Sequence, residues 1–266
     1  MRPLLARSAA AATGLTALAA LPGLAVLAGG PVPAGAAAPP LQSTPTAEYQ
    51  AAVKAATNQG VHFVSTAAQQ GVTIHVVGDT GATSGTQTLT VSNGKLTEHL
   101  NATVVGSTGY VQANSTALHH VIGLSTSQSN KYANKWLSFP TSNAGLDQLV
   151  TGLLNSQVVA EMQISGPYAY GDTTTVNGER ALAIKGSIKT NNGSTEPVVL
   201  YVSATGKPTP IEEVTNPGAT ATSSAIHGTV TFTRWGEKTS EKAPAHSVSL
   251  LKLAPPSTSG SSTTGG

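Results

Sequence analysis

Thr88-Leu89-Thr90-Val91-Ser92-Asn93-Gly94 is the stretch on which the fold turns. Apolar and polar residues alternate with a period of two, which puts one face of an extended strand in a core and the other in water. The alternation ends at Asn93-Gly94, a pair that tolerates positive φ and therefore closes a tight hairpin. The chain before it repeats the pattern, with Val72, Ile74 and Val76 separated by Thr73 and His75. The chain after it repeats it again over 96–105 and 110–113, across the glycines of 106–109.

Further along, 173–176, 181–190, 198–202, 210–214 and 227–235 carry the same signal, with turns at Asn177-Gly178, 191–194 and 206–208. Consecutive strands joined by short turns make an antiparallel meander, and no strand–helix–strand alternation argues for a parallel sheet. Helical spacing is predicted over 49–56, where Tyr49, Ala52, Val53 and Ala56 share a face, with Thr46 as cap and Glu48 in the first turn. A short helix is expected within 115–124 and a polar loop over 125–134, then a brief strand over 135–139 stopped by Pro140. Leu146, Leu149, Val150, Leu153 and Leu154 predict an amphipathic helix, with Asn143 able to cap it. The fold class expected is α+β: one antiparallel sheet whose apolar face is buried under helices.

The ends read differently. Arg2 and Arg7, an apolar run over 8–30 and small residues at 34–38 are the parts of a secretory signal peptide, expected at 1–38. The run reaches the ~20 apolar residues that span a bilayer, but it is mostly Ala with Pro22 inside, so cleavage is expected over retention. Residues 39–45 form a linker, 46–253 the domain, and 254–266, almost all Pro, Ser, Thr and Gly, a tail with nothing to bury. Removing Arg2 and Arg7 takes the 14 basic residues to 12, equal to the 12 acidic ones. A balanced charge supplies no surplus to neutralise phosphates, so nucleic acid is not an expected partner. The chain has no Cys, which excludes disulfides, thiolate chemistry and a cysteine-linked lipid.

Catalytic patterns are missing from the sequence. None of the seven histidines stands in H-E-x-x-H or H-x-H spacing, and His119-His120 point apart on either kind of element. His75 and His99 alternate with apolar residues and are expected in solvent. Glu212 and Glu213 are neighbours on a strand and so face opposite sides, which does not suit an acid/base pair. Gly81 to Gly85 has its serine out of place for a nucleophile elbow, and no lysine follows the glycines of 78–85 as a phosphate loop requires. Three N-x-S/T sequons, at Asn101, Asn114 and Asn192, are unsurprising in a Ser/Thr-rich chain. Neither an enzyme nor a cofactor or metal is expected. With only two Trp, six Tyr and three Phe, the interior is aliphatic and suits alkyl chains better than sugars or bases.

Several motifs together resemble a known group. Tyr110-Val111-Gln112-Ala113-Asn114, a short helical stretch and then Lys135-Trp136-Leu137-Ser138-Phe139-Pro140 are similar to a passage of actinobacterial LolA-like proteins. So are Val176-Asn177-Gly178-Glu179-Arg180-Ala181, the hairpin from Leu200-Tyr201-Val202 through Gly206-Lys207-Pro208 to Ile211, and the closing Phe232-Thr233-Arg234-Trp235-Gly236-Glu237. The group is that of the mycobacterial LppX/LprG lipoproteins. The resemblance implies a strongly curved antiparallel half-barrel with helices over its concave face, an acylated lipid held between them, and a role as an envelope lipid carrier. It implies no catalytic residue. Those lipoproteins carry a lipidated N-terminal Cys, which this chain lacks, so an exported protein, extracellular or associated with the envelope without that anchor, is expected, touching membrane only transiently unless the signal is retained. Phe63, Ile74, Val76, Leu89, Val91, Leu149 and Leu153 are the candidate cavity wall, for a hydrophobic ligand loaded or received by an envelope transport partner. Two other readings stand beside the carrier: the same fold without cargo, as an envelope interaction or sensor module, and a hydrolase whose site is assembled from distant residues.

Overall fold

Twelve strands among the described residues form one sheet in the order β12-β6-β5-β4-β3-β2-β1-β11-β10-β9-β8-β7. The computed structural model describes residues 43–143, 145–162, 164–189 and 194–253. The expected signal and tail, most of the linker and the sequon at Asn192 lie outside them. The strands are β1 (His62–Gln69), β2 (Val72–Asp79), β3 (Ser84–Ser92), β4 (Thr97–Val105), β5 (Thr108–Ala113) and β6 (Leu137–Pro140). There follow β7 (Ser165–Val176), β8 (Glu179–Lys189), β9 (Thr195–Ser203), β10 (Pro210–Thr215), β11 (His227–Thr233) and β12 (Val248–Ser249). Every pairing is antiparallel except β12 on β6. Thus β1 to β6 form one meander and β7 to β11 another, and the pairing of β1 with β11 unites them into one open sheet.

Register places the apolar residues in rows on one face. Phe63 lies opposite both Phe232 and Gly78, and the row continues through Gln87, Ala102 and Val111 to Leu137. A neighbouring row runs across ten strands, from Tyr170 through Ile184, Leu200, Glu213, Val230, Ser65, Val76, Leu89 and Leu100 to Ala113. The opposite face carries Thr66, His75, Thr90 and His99 in a polar row, and His75 and His99 are exposed as the alternation predicts.

The covered face is roofed by short elements. Helix α1 (Pro45–Ala56) has Pro45 at its first turn, and the cap is Thr44, two residues earlier than expected, whose hydroxyl accepts from the Ala47 N–H at 3.2 Å. It packs on β7 and β10 through Tyr49, Ala52, Ala55 and Ala56, all buried. Helix α2 (Ser115–His120) is capped by Asn114.

Helix α3 (Thr126–Tyr132) falls where a loop was expected: its polar sequence hides it, but Ser125 and Gln128 form a capping box. The largest departure is at 146–154. Instead of an amphipathic helix there is one 3-10 turn, Asp147–Leu149, between Gly145 at φ 106° and Gly152 at φ 87°. Those two glycines interrupt the run in a backbone region that a helix cannot use. Leu149, Val150 and Leu153 are buried all the same, with Leu146 and Leu154 half-buried against them, and the helix forms later, as α4 (Asn155–Glu161). This segment is tied to the sheet by the Gln87 side chain, which donates to the Leu149 carbonyl at 2.9 Å, and by the Asn155 N–H on the Gly81 carbonyl at 2.9 Å. After β11 the chain crosses the ends of β1 to β3, with the Glu241 N–H donating to Ser84 Oγ at 2.8 Å, and buries Leu250 in the core.

Candidate ligand-binding site

Five of the seven candidate wall residues come from adjacent strands and share the covered face: Phe63 on β1, Ile74 and Val76 on β2, Leu89 and Val91 on β3. Val76 pairs with Leu89 and Ile74 with Val91. Leu149 and Leu153 descend from the roof, and the structure brings all seven into one apolar cluster between sheet and roof. Leu153 is fully buried and Phe63 only 3% exposed, whereas Leu89 and Val91 are half-buried. Packing here is close. The Phe63 ring lies over Gly78, where a Cβ would stand 2.5 Å from its Cζ, so the missing side chain is what lets the ring lie flat on the sheet.

A second, smaller cluster occupies the other wing of the sheet, built from Ile164, Leu182, Ile184, Val198, Leu200 and Val202 under Tyr49 and Ala52. Helix α1 reaches both, since Ala56 belongs to the larger cluster. Between them runs β10, whose inward residues are Ile211, Glu213 and Thr215. Glu213 is only 7% exposed, and Ser65, beyond Val230 in the same row, 1%. Among the described residues the hydroxyl of Ser65 has no hydrogen-bond partner, an uncommon state for a buried polar atom.

Beside α1 lies a cleft of about 530 Å³ between the helix and the start of β7. Its walls include Tyr49, Val53, Lys54, Ile164 and Tyr168, and none of the seven predicted residues. Tyr49 and Tyr168 stack with ring centroids 4.7 Å apart. The Ile164 N–H donates to the Tyr49 oxygen at 3.2 Å, and the Tyr168 hydroxyl donates to the Ile164 carbonyl at 3.0 Å. Burial pushes the Tyr49 phenol above its ordinary value; the Ile164 N–H pulls it back, and Tyr168 and Glu213 add to the rise.

Titratable groups elsewhere meet in pairs. His62 Nδ1 stands 2.8 Å from Asp79 Oδ1, which also accepts from Arg234 at 2.7 Å. His120 Nδ1 stands 2.7 Å from Glu98. Among the described residues no three His, Cys, Asp or Glu side chains gather as a metal site would require, and no helix is long and apolar enough to cross a membrane.

Ser65 and Tyr168 are residues of this region that the sequence reading did not single out, and Glu213 entered it only beside Glu212, as an unsuitable acid/base pair. Alternation along β10 turns Glu213 inward, a signal present in the sequence. The pairing that sets it near Ser65 joins distant parts of the chain and carries no local signal.

No family model matches the sequence, and no curated protein matches it. Among solved structures, the chain is similar to LprF from Mycobacterium bovis, at 14% identity over 76% of this chain and 98% of that one, with a TM-score of 0.48. It is also similar to the lipoprotein LppX of Mycobacterium tuberculosis, at 14% identity over 74% and 97%, with a TM-score of 0.46. A third likeness, to an uncharacterized conserved protein from Thermus thermophilus, has 10% identity over 77% and 97% and a TM-score of 0.40.

Proposed function

We propose that this protein is an exported carrier, not an enzyme, that holds a hydrophobic, acylated ligand between the sheet and its roof. The observation that carries the reading is the make-up of that roof. A largely apolar face is covered by pieces of three to seven residues over most of its length, tied down at the 146–155 segment by single hydrogen bonds such as that from Gln87 to Leu149. Short covering elements with few hydrogen bonds to what lies below them open at lower free energy than the sheet itself. An aliphatic interior that can part in this way suits acyl chains. The side chains of Phe63, Ile74, Val76, Leu89, Val91, Leu149 and Leu153 would then line the ligand, and the cleft at Tyr49 would be its mouth. Export follows from the signal expected at 1–38, and retention at the envelope would need no cysteine-linked lipid.

Native mass spectrometry of the protein purified from its own host, followed by organic extraction, tests this. A bound mass that extraction removes and recovers as a lipid is expected. A bare protein mass, together with no uptake of a fluorescent fatty acid, would sink the carrier. The close packing of Phe63 and Leu153 favours a second reading, an envelope interaction module whose interior stays filled by its own side chains. That is the reading a bare mass would leave.

A further inference from the structure

The charges of the domain balance as a whole, but not within one stretch of it. From Ser84 to Pro140, the chain that supplies β3 to β6 with α2 and α3, the lysines are Lys95, Lys131 and Lys135, and the one acid is Glu98. All three lysines are exposed, and among the described residues none of them forms an ion pair. Glu98 is half-buried and drawn onto His120, whose Nδ1 stands 2.7 Å away.

The fold brings these lysines to one end of the sheet. Lys95 sits in the turn from β3 to β4, two residues before Thr97, whose carbonyl accepts from the Asn114 side chain at 2.9 Å. Asn114 follows Ala113, whose carbonyl accepts at 2.8 Å from the N–H of Asn134, the neighbour of Lys135. Lys131 and Lys135 both hold their ammonium groups near the ring of Tyr132, 5.3 and 5.7 Å from its centroid. One ring thus gathers two like charges, and an anion set against them would relieve their repulsion. Beside Lys95 stands Leu96, 49% exposed; it and Leu251 are the large apolar side chains left in solvent among the described residues.

We infer that this end of the sheet docks on an anionic lipid surface, with Lys95, Lys131 and Lys135 on its phosphates and Leu96 entering the interface. Charge complementarity selects the occupant. Each lysine near an acidic bilayer is attracted to it, and the lysine stems reach across apolar ground while their heads stay with the phosphates. An acidic protein would meet the lysines equally well but would leave Leu96 without a use. The inference goes beyond the carrier reading and does not depend on it: the same surface would dock a protein whose interior holds no cargo.

Co-sedimentation of the protein, purified from its own host, with two kinds of vesicle tests this: phosphatidylcholine alone, and phosphatidylcholine mixed with phosphatidylglycerol. At about 0.1 M salt, where screening sets in over ~10 Å, the acidic vesicles should bind the protein about ten-fold better or more. Added salt should erode that preference. Lys95→Glu with Lys131→Glu and Lys135→Glu should abolish it, and Leu96→Ser should weaken binding about three-fold while keeping it. Lys54→Glu with Lys238→Glu and Lys242→Glu changes the net charge equally, away from this end, and should leave the preference in place. Equal binding of both vesicles by the unaltered protein, or binding of neither, overturns the docking surface. So does a control triple that loses as much as the patch triple. Retention on a polyglutamate resin without binding to vesicles would assign the lysines to an acidic protein and overturn the lipid surface. The comparison of vesicles does not depend on how the variants fold. Sedimentation reads docking alone, so its failure leaves the carrier standing, and a bare mass on extraction leaves the docking surface standing.

Discussion

The carbonyl group of Leu153 rests directly on Gly85, leaving no room for a side chain between roof and sheet. A Cβ at position 85 would meet that oxygen and also the Asp79 carbonyl, both backbone atoms that cannot swing aside. Gly85→Ala is therefore expected to destabilise the fold by about 1–3 kcal/mol, as overpacking does. Gly218→Ala, with nothing near its Cβ, serves as the neutral control. Denaturant unfolding of both variants decides the matter: equal midpoints would show that the roof does not bear on the sheet at Gly85.

Tyr49 holds α1 to the sheet by its ring and by its oxygen. Replacing it with Phe keeps the stack on Tyr168 but leaves the buried Ile164 N–H without its acceptor. A loss of about 1–3 kcal/mol is expected, the cost of an orphaned buried donor. Tyr49→Ala should cost more, because the stack and the apolar contact disappear as well. If Tyr49→Phe melts with the unaltered protein, the hydrogen bond contributes nothing to holding the helix.

Ser65 offers the opposite case. Its hydroxyl is buried without a partner among the described residues, so Ser65→Ala orphans nothing there and is expected to be neutral or stabilising by up to ~1 kcal/mol. Gln87→Ala, which strips the Leu149 carbonyl of its donor, should destabilise. Thermal melts of the pair separate the two kinds of buried polar residue. A large loss in Ser65→Ala would mean that the hydroxyl has a structural duty.

Glu212 gives a pH dependence. Burial raises its carboxyl above the ordinary value, and the Thr231 hydroxyl pulls it part of the way back. The folded protein thus holds this proton more tightly than the unfolded chain does, so the ionised side chain costs stability at neutral pH, a cost that fades as pH falls through the raised value. Glu212→Gln is expected to melt above the unaltered protein at pH 7 and to converge with it on the acid side of the carboxylate range. Parallel melting curves at both pH values would remove Glu212 as the cause.

Much of this architecture could be read from local pattern. Leu89 and Val91, Ile74 and Val76, and the Asn177-Gly178 turn with φ of 51° and 83° fall where alternation and turn chemistry put them. At 146–154, apolar spacing correctly forecast which side chains go inside, since Leu149, Val150 and Leu153 are all buried. It did not forecast the backbone that carries them: spacing reports burial, while Gly145 and Gly152 decide the conformation. The short α3 was missed for the converse reason, being polar and betrayed only by its cap. The Tyr49 cleft and the place of Glu213 between the two apolar clusters depend on which distant strands become neighbours, and periodicity within one strand cannot show that.

The union of β1 with β11 bears on how the protein comes to be folded. Ala68 pairs with His227 there, so this one seam must close a loop that contains almost the whole domain, whereas nearly every other pairing joins strands adjacent in the chain. Closing so large a loop carries an entropy that local hairpins do not. The two meanders should therefore form early as separate half-sheets, and their joining should set the rate of folding. Substitutions along Ser65 and Val230 would then slow folding, while those within the β2–β3 hairpin would mainly hasten unfolding.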